Sequence, residues 1–383
     1  MTTKPPDMSE ATRLTRAGRL SEATALIKRL LGVNVPPQPS RESAPALAQP
    51  ILDLVAEVVS PPTPAMNKAE TQPQSATPFS KSPIDPPTHQ RAPSVLAPDP
   101  ARYSGETFSN AAGKRTYKFY RPSPAHTGPR PLVVMLHGCT QSADDFAAGT
   151  RMNFAADDHG CFVAYPEQIP SANPQKCWNW FQTGHQSRDR GEPSIIAGIV
   201  QHIMSQHDID PRRIYIAGLS AGGAAAAVVA ESYPDVFAAL GVHSGLACGS
   251  ARDLPSALAA MQGRHPPHTP RQSAPIPAIV FHGDQDTTVH PRNGSDVVKS
   301  ASAGGTYVSE IEQGRVPSGR SYARTILRDN SGQSMIEDWV IHGAGHAWSG
   351  GSTAGSFTDP LGPDATREML RFFLEHQLAA KAN

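Results

Sequence analysis

The chain has 383 residues, with 34 basic and 34 acidic side chains, so it offers no bulk field that would draw it to nucleic acid or to an anionic membrane surface. Its length allows a sizeable core, and no apolar run approaches the length that spans a bilayer. The 15 histidines lack His-Glu-x-x-His spacing, so no catalytic metal is expected, nor any other cofactor, and the 4 cysteines are too few for a disulfide scaffold.

The opening Met1-Thr2-Thr3-Lys4-Pro5-Pro6-Asp7 lacks the basic start, apolar stretch and small-residue cleavage site of an export signal, which predicts a cytoplasmic protein. Within residues 1–33, Leu14, Ala17, Leu20, Ala23, Leu26, Ile27, Leu30 and Leu31 recur at helical spacing. That pattern predicts a short helical segment, which needs a partner, a granule surface or the chain's own larger domain to cover its apolar face. Residues 34–100 turn to Pro, Ala, Ser, Thr and Gln, a composition that buries too little apolar area to offset chain entropy. They read as a disordered linker.

Residues 101–383 read as a single α/β domain. Strands are expected at 116–121, 131–136, 160–165, 213–217, 240–243, 277–282 and 334–342, and helices at 142–158, 191–206 and 365–379. Uninterrupted apolar strands separated by helices predict a mostly parallel sheet covered on both faces. Residues 208–212 read as a turn that stops the second helix.

Gly218-Leu219-Ser220-Ala221-Gly222 follows the apolar run 213–217 and precedes the small-residue stretch 222–230. A strand that turns sharply into a helix strains its apex residue, so the flanking positions need glycine and the serine hydroxyl is pushed outward. This is the form of a nucleophile elbow. A serine nucleophile needs a base and an acid, which in this arrangement follow it along the chain. His282-Gly283-Asp284-Gln285-Asp286-Thr287-Thr288-Val289 offers two candidate acids, Asp286 being preferred and Asp284 read as a turn former. Gly343-Ala344-Gly345-His346-Ala347-Trp348 offers the base. His346 competes with His137, His243, His282 and His342, but it alone lies in a glycine-flanked loop at the right point in chain order. An oxyanion also needs two preorganised N–H donors. Ala221, directly after the serine, is one, and Cys139, in the turn after the strand 131–136, is the other.

Together with the elbow and these two loops, His137-Gly138-Cys139-Thr140-Gln141, Tyr165-Pro166-Glu167-Gln168 and Cys177-Trp178-Asn179-Trp180-Phe181 make residues 105–375 resemble the polyhydroxybutyrate depolymerase family of esterases, which also includes feruloyl and acetylxylan esterases. The resemblance implies an α/β-hydrolase fold and a serine esterase working through Ser220, Asp286 and His346. It implies poly(3-hydroxybutyrate) or its oligomers as substrate, with a feruloyl or acetylxylan ester, or a peptide, as the alternative. A protein of another class, which binds a polymer granule or a partner and catalyses only secondarily, is the further alternative. The resemblance also implies a Cys139–Cys177 disulfide and, because the family is largely secreted, an extracellular location against the cytoplasmic one. Trp178, Trp180 and Trp348 fall in loops beside the expected site, where flat apolar side chains suit a hydroxyalkanoate or aromatic acyl group.

Overall fold

In β3 (Arg130–Leu136), Leu132, Val134 and Leu136 alternate with Val133 and Met135, and the two sets enter different apolar cores on opposite faces of one sheet. The computed structural model describes residues 96–266 and 275–380. The expected helical segment 1–33 and the linker up to residue 95 lie outside the described residues. The packed chain begins before the expected boundary at 101, because Ala97 is buried and Asn153 Nδ2 donates to Leu96 O at 2.8 Å.

The sheet has ten strands in the order β1-β2-β4-β3-β5-β6-β7-β10-β9-β8. These are β1 (Tyr103–Asn110), β2 (Gly113–Tyr120), β3, β4 (Phe162–Pro166), β5 (Ile209–Leu219), β6 (Ala239–His243), β7 (Ala278–Gly283), β8 (Val308–Arg315), β9 (Ser321–Arg328) and β10 (Ser334–Ile341). The central run from β4 to β10 is parallel, whereas the outer pairings at both edges are antiparallel. Two short strands, β11 (Trp348–Ser349) and β12 (Thr358–Asp359), pair apart from it. The helices are α1 (Ala143–Thr150), α2 (Met152–Asp158), α3 (Gly191–Gln206), α4 (Ala221–Ser232), α5 (Leu254–Met261), α6 (Arg292–Ala301) and α7 (Ala365–Leu374). Apolar residues of α3 and α4 fill one core, and those of α1, α2 and α7 fill the other.

Strand order reverses at β3, with β4 on one side and β5 on the other, the kind of switch point beside whose strand carboxyl ends open α/β sheets bind their ligands. The turns that carry Cys139 and Ser220 begin there. The expected α/β architecture is the observed one, with local differences. The expected helix 142–158 is two helices, because Arg151 adopts φ 56° and breaks the ladder between them. All of the expected turn at 208–212 except Asp208 lies inside β5, where the pairing with β3 shifts register between Arg130 and Leu132. The expected last helix ends at Leu374, and Leu378 N instead donates to Arg212 O at 2.9 Å. Strands β1, β8 and β9 were not foreseen. β8 is exposed along almost its whole length, and its Glu310 and Glu312 pair with Arg328 and Arg324 across β9, so no apolar alternation marks it.

Candidate active site

Ser220 sits between β5 and α4 with φ 58° and ψ −121°, a left-handed conformation costly for a residue with a side chain. The turn around it is too tight for a Cβ on either flanking glycine. A methyl on Gly218 would overlap the backbone of Gly222, and one on Gly222 would overlap the carbonyl oxygen of Leu136 at the end of β3. The two glycines therefore let the elbow close against the neighbouring strand. Ser220 N donates to His243 O at 2.9 Å and Ala224 N to Ser220 O at 2.9 Å, which fixes the strained apex from both sides.

Asp286 lies in the loop after β7 and His346 in the loop after β10, and His346 Nδ1 stands 2.7 Å from Asp286 Oδ2. The other oxygen of Asp286 accepts from Thr288 N and Val289 N, each at 2.9 Å. Burial raises the pKa of this carboxyl, but hydrogen bonds with His282 and His346 and the His346 charge outweigh burial and hold it well below the usual carboxylate range. It is thus an anion at neutral pH. Asp284 is engaged elsewhere: His342 Nδ1 lies 2.9 Å from its Oδ2, and Gly343 N donates to Oδ1 at 2.7 Å. The two loops are stitched by Gln285 N to Ala344 O at 3.0 Å, and a Cβ on Gly283 would lie 2.8 Å from Gly345 O. His282 is buried beside the acid, 2.8 Å from Val289 O and 3.4 Å from Asp286 Oδ2. His243 is buried too, and its Nε2 accepts from Ser349 N at 2.9 Å. Burial first, then the nearby His282 and His346, push its protonation well below the ordinary value.

The turn that carries Cys139 runs against the elbow, since a Cβ on Gly138 would lie 3.5 Å from Leu219 O and 3.7 Å from Ser220 Cβ. Cys139 is bonded to Cys177 through a disulfide. Gly138 N donates to Gln141 Oε1 at 2.9 Å, and Thr140 N to Gln175 O at 2.7 Å. The Cys139 amide lies between these two and has no acceptor among the described residues. Ala221 is the first residue of α4, where a helix leaves its N–H without an intrahelical partner. Gln141 also donates from Nε2 to Asp145 Oδ2 at 2.9 Å, which ties the turn to α1. His137 accepts from Gln168 N through Nε2 at 3.0 Å, so its proton is on Nδ1, which donates to Gly138 O at 2.7 Å. Burial pushes the His137 pKa down to about 4, keeping this imidazole neutral.

The three tryptophans expected to line the substrate are instead buried, and that expectation is corrected. Trp178 donates from Nε1 to His137 O at 3.1 Å, and Trp348 donates to Thr366 Oγ1 at 3.0 Å while stacking 5.2 Å from the His243 ring. Trp180 packs edge-on against Phe181. All three are enclosed by the core and shape the loops from beneath. Sequence reasoning assigned no role to the side chains of Gln141 and Gln168. Their presence in the quoted blocks was the only signal, because their partners are remote in sequence.

A family model described as esterase PHB depolymerase matches residues 115–303. A poly(3-hydroxyalkanoate) depolymerase C of Paucimonas lemoignei is 33% identical over 56% of this chain and 54% of its own length. The chain thus spans about half of that relative. A feruloyl esterase B of Thermothelomyces thermophilus is 30% identical over 47% of this chain and 67% of its own length. Among solved structures, an acetyl xylan esterase from Aspergillus awamori superposes with a TM-score of 0.56 at 18% identity, covering 71% of this chain and 99% of that one, a likeness of fold. Set beside the strained serine elbow and the parallel sheet that carries it, these matches show that the chain belongs to the polyhydroxybutyrate depolymerase family of esterases, on an α/β-hydrolase fold.

Proposed function

We propose that the protein hydrolyses carboxylic esters through an acyl-enzyme on Ser220. His346, oriented by Asp286, takes the Ser220 proton as the hydroxyl attacks the ester carbonyl, and the amides of Cys139 and Ala221 receive the developing oxyanion. The alcohol leaves with the proton from His346, and water then repeats the cycle on the acyl-enzyme. The observation that carries this reading is the 2.7 Å contact between His346 Nδ1 and Asp286 Oδ2, which leaves Nε2 of the imidazole free to act as base. The substrate we favour is poly(3-hydroxybutyrate) or its short oligomers, in line with the P. lemoignei relative's name. The Cys139–Cys177 bond favours the extracellular alternative over the cytoplasmic one, since cytosolic thiols stay reduced.

The test is hydrolysis of p-nitrophenyl butyrate, hydroxybutyrate trimers, methyl ferulate and acetylated xylan by the purified chain and by Ser220→Ala. The variant is expected to fold and to lose about three or more orders of magnitude in kcat. Undiminished turnover in Ser220→Ala refutes the nucleophile. Cleavage of the ferulate or the xylan in preference to the trimer refutes the polyester.

A further inference from the structure

Glu192 is a buried carboxylate in the first turn of α3, far along the chain from the elbow and from both catalytic loops. Its hydrogen-bond partners are all donors, and His185 Nδ1, which accepts from Glu192 N at 3.1 Å, lies 3.8 Å from Oε2. Its Oε1 accepts from Gln168 Nε2 at 2.5 Å, from Asn179 Nδ2 at 2.8 Å and from Arg115 Nη2 at 3.4 Å. Its Oε2 accepts from Asn179 N at 2.7 Å. A buried charge costs free energy unless it is well bonded, so this carboxylate gathers the chain around it rather than merely filling space.

Its bonds lead to the turn of Cys139 by two routes, and both pass through Gln168. The Gln168 side chain, held by Glu192, also donates to Cys177 O at 3.0 Å, and Cys177 is the disulfide partner of Cys139. The Gln168 amide donates to His137 Nε2 at 3.0 Å, and His137 in turn donates to Gly138 O at 2.7 Å, on the peptide just before Cys139. One carboxylate thereby secures Cys139 through its side chain and through its preceding peptide. A backbone amide has no rotamer of its own to adjust, so its aim depends on such neighbours, and a misplacement of about 1 Å can cost about a hundredfold in rate.

We infer that Glu192 is a positioning residue that aims the Cys139 amide at the oxyanion, acting through Gln168. This rests on the ester-hydrolase reading above. Glu192→Gln keeps the volume but sets an NH2 against surrounding donors, and Gln168→Met cuts the link while leaving Glu192 bonded to Asn179 and Arg115.

The experiment uses the full chain and measures kcat and KM on p-nitrophenyl butyrate, together with inhibition by n-butylboronic acid, which mimics the tetrahedral state on a serine. Active sites are counted with a fluorophosphonate, so that unfolded protein is excluded. In each variant kcat falls about tenfold to a hundredfold, KM changes less than about threefold, and the boronate inhibition constant rises in parallel with the loss in kcat/KM. The double variant is no worse than the poorer single one, because both act through one amide. An unchanged kcat in labelled Glu192→Gln, a rise in KM alone, or additive losses in the double variant overturns the inference. Should Glu192→Gln not fold, Gln168→Met decides by the same criteria. Full activity in Ser220→Ala would instead overturn the reading beneath it.

Discussion

The turn that carries Cys139 is tied by a disulfide and by the side chains of Gln141, His137 and Gln168, whereas the loops that carry Asp286 and His346 have no cross-link and are tied to each other by the Asp284 carboxylate on His342 and Gly343 N, by Gln285 N to Ala344 O and by close approach at Gly283. In the proposed mechanism the contrast follows from what each wall must present. On one side the working group is a peptide N–H, which cannot choose a rotamer, so its neighbours must fix the chain itself. On the other side the working groups are side chains, and one short contact between Asp286 and His346 orients both once the loops are adjacent. Damage to the first wall should therefore weaken the stabilisation of the oxyanion by degrees, while damage to the second should remove the base outright.

The largest effect after loss of Ser220 itself is expected at the second wall. Asp286→Asn should lower kcat by about three to four orders of magnitude, because the imidazole loses its orienting anion. Asp284→Asn, which disturbs the His342 pair and the bond from Gly343 N but not the Asp286–His346 contact, should lower kcat by less than about threefold. Comparable losses in steady-state assays of both variants would break the assignment of the acid.

At the first wall, the double variant Cys139→Ser/Cys177→Ser should lower kcat about tenfold and reduce unfolding stability by roughly 2–4 kcal/mol, since the bond closes a loop with a sequence separation of 38. Turnover and chemical denaturation measure the two separately. Loss of stability with kcat unchanged would show that the turn holds its aim without the cross-link.

The smallest effect concerns His137, whose pKa falls from an ordinary 6.5 to about 4 in the fold. Its folded value is depressed, so the unfolded chain takes up a proton first, and stability present above pH 6.5 is lost as pH falls toward 4. At pH 5 this single group accounts for about 2 kcal/mol. Denaturant unfolding at pH 7 and pH 5 should show a shallower acid loss in His137→Gln than in the parent chain. Equal slopes would mean that the imidazole charges readily and does not anchor the turn as a neutral acceptor.

Ser220 was legible because a nucleophile elbow is a local device: Gly218 and Gly222 are needed within the same turn that strains the serine. The parallel strands were legible because burial on both faces leaves near-continuous apolar runs. The family resemblance drew on the same local blocks. By contrast, β8 could not be read, since its residues face water and its order comes from pairing with β9. The tryptophans misled for a related reason. Their position in loops near the elbow says nothing about which way a ring packs, and here the surrounding core encloses all three.

By itself the sequence determined the strand and helix alternation, the serine turn, and the order in which serine, acid and base candidates follow one another. Only the tertiary structure decided that Asp284 serves His342 while Asp286 serves His346, and that Glu192 reaches Gln168 across 24 residues of chain. Backbone strain and hydrophobic periodicity act over a few residues and so leave a trace in the sequence. Hydrogen bonds between buried side chains depend on which segments folding brings together.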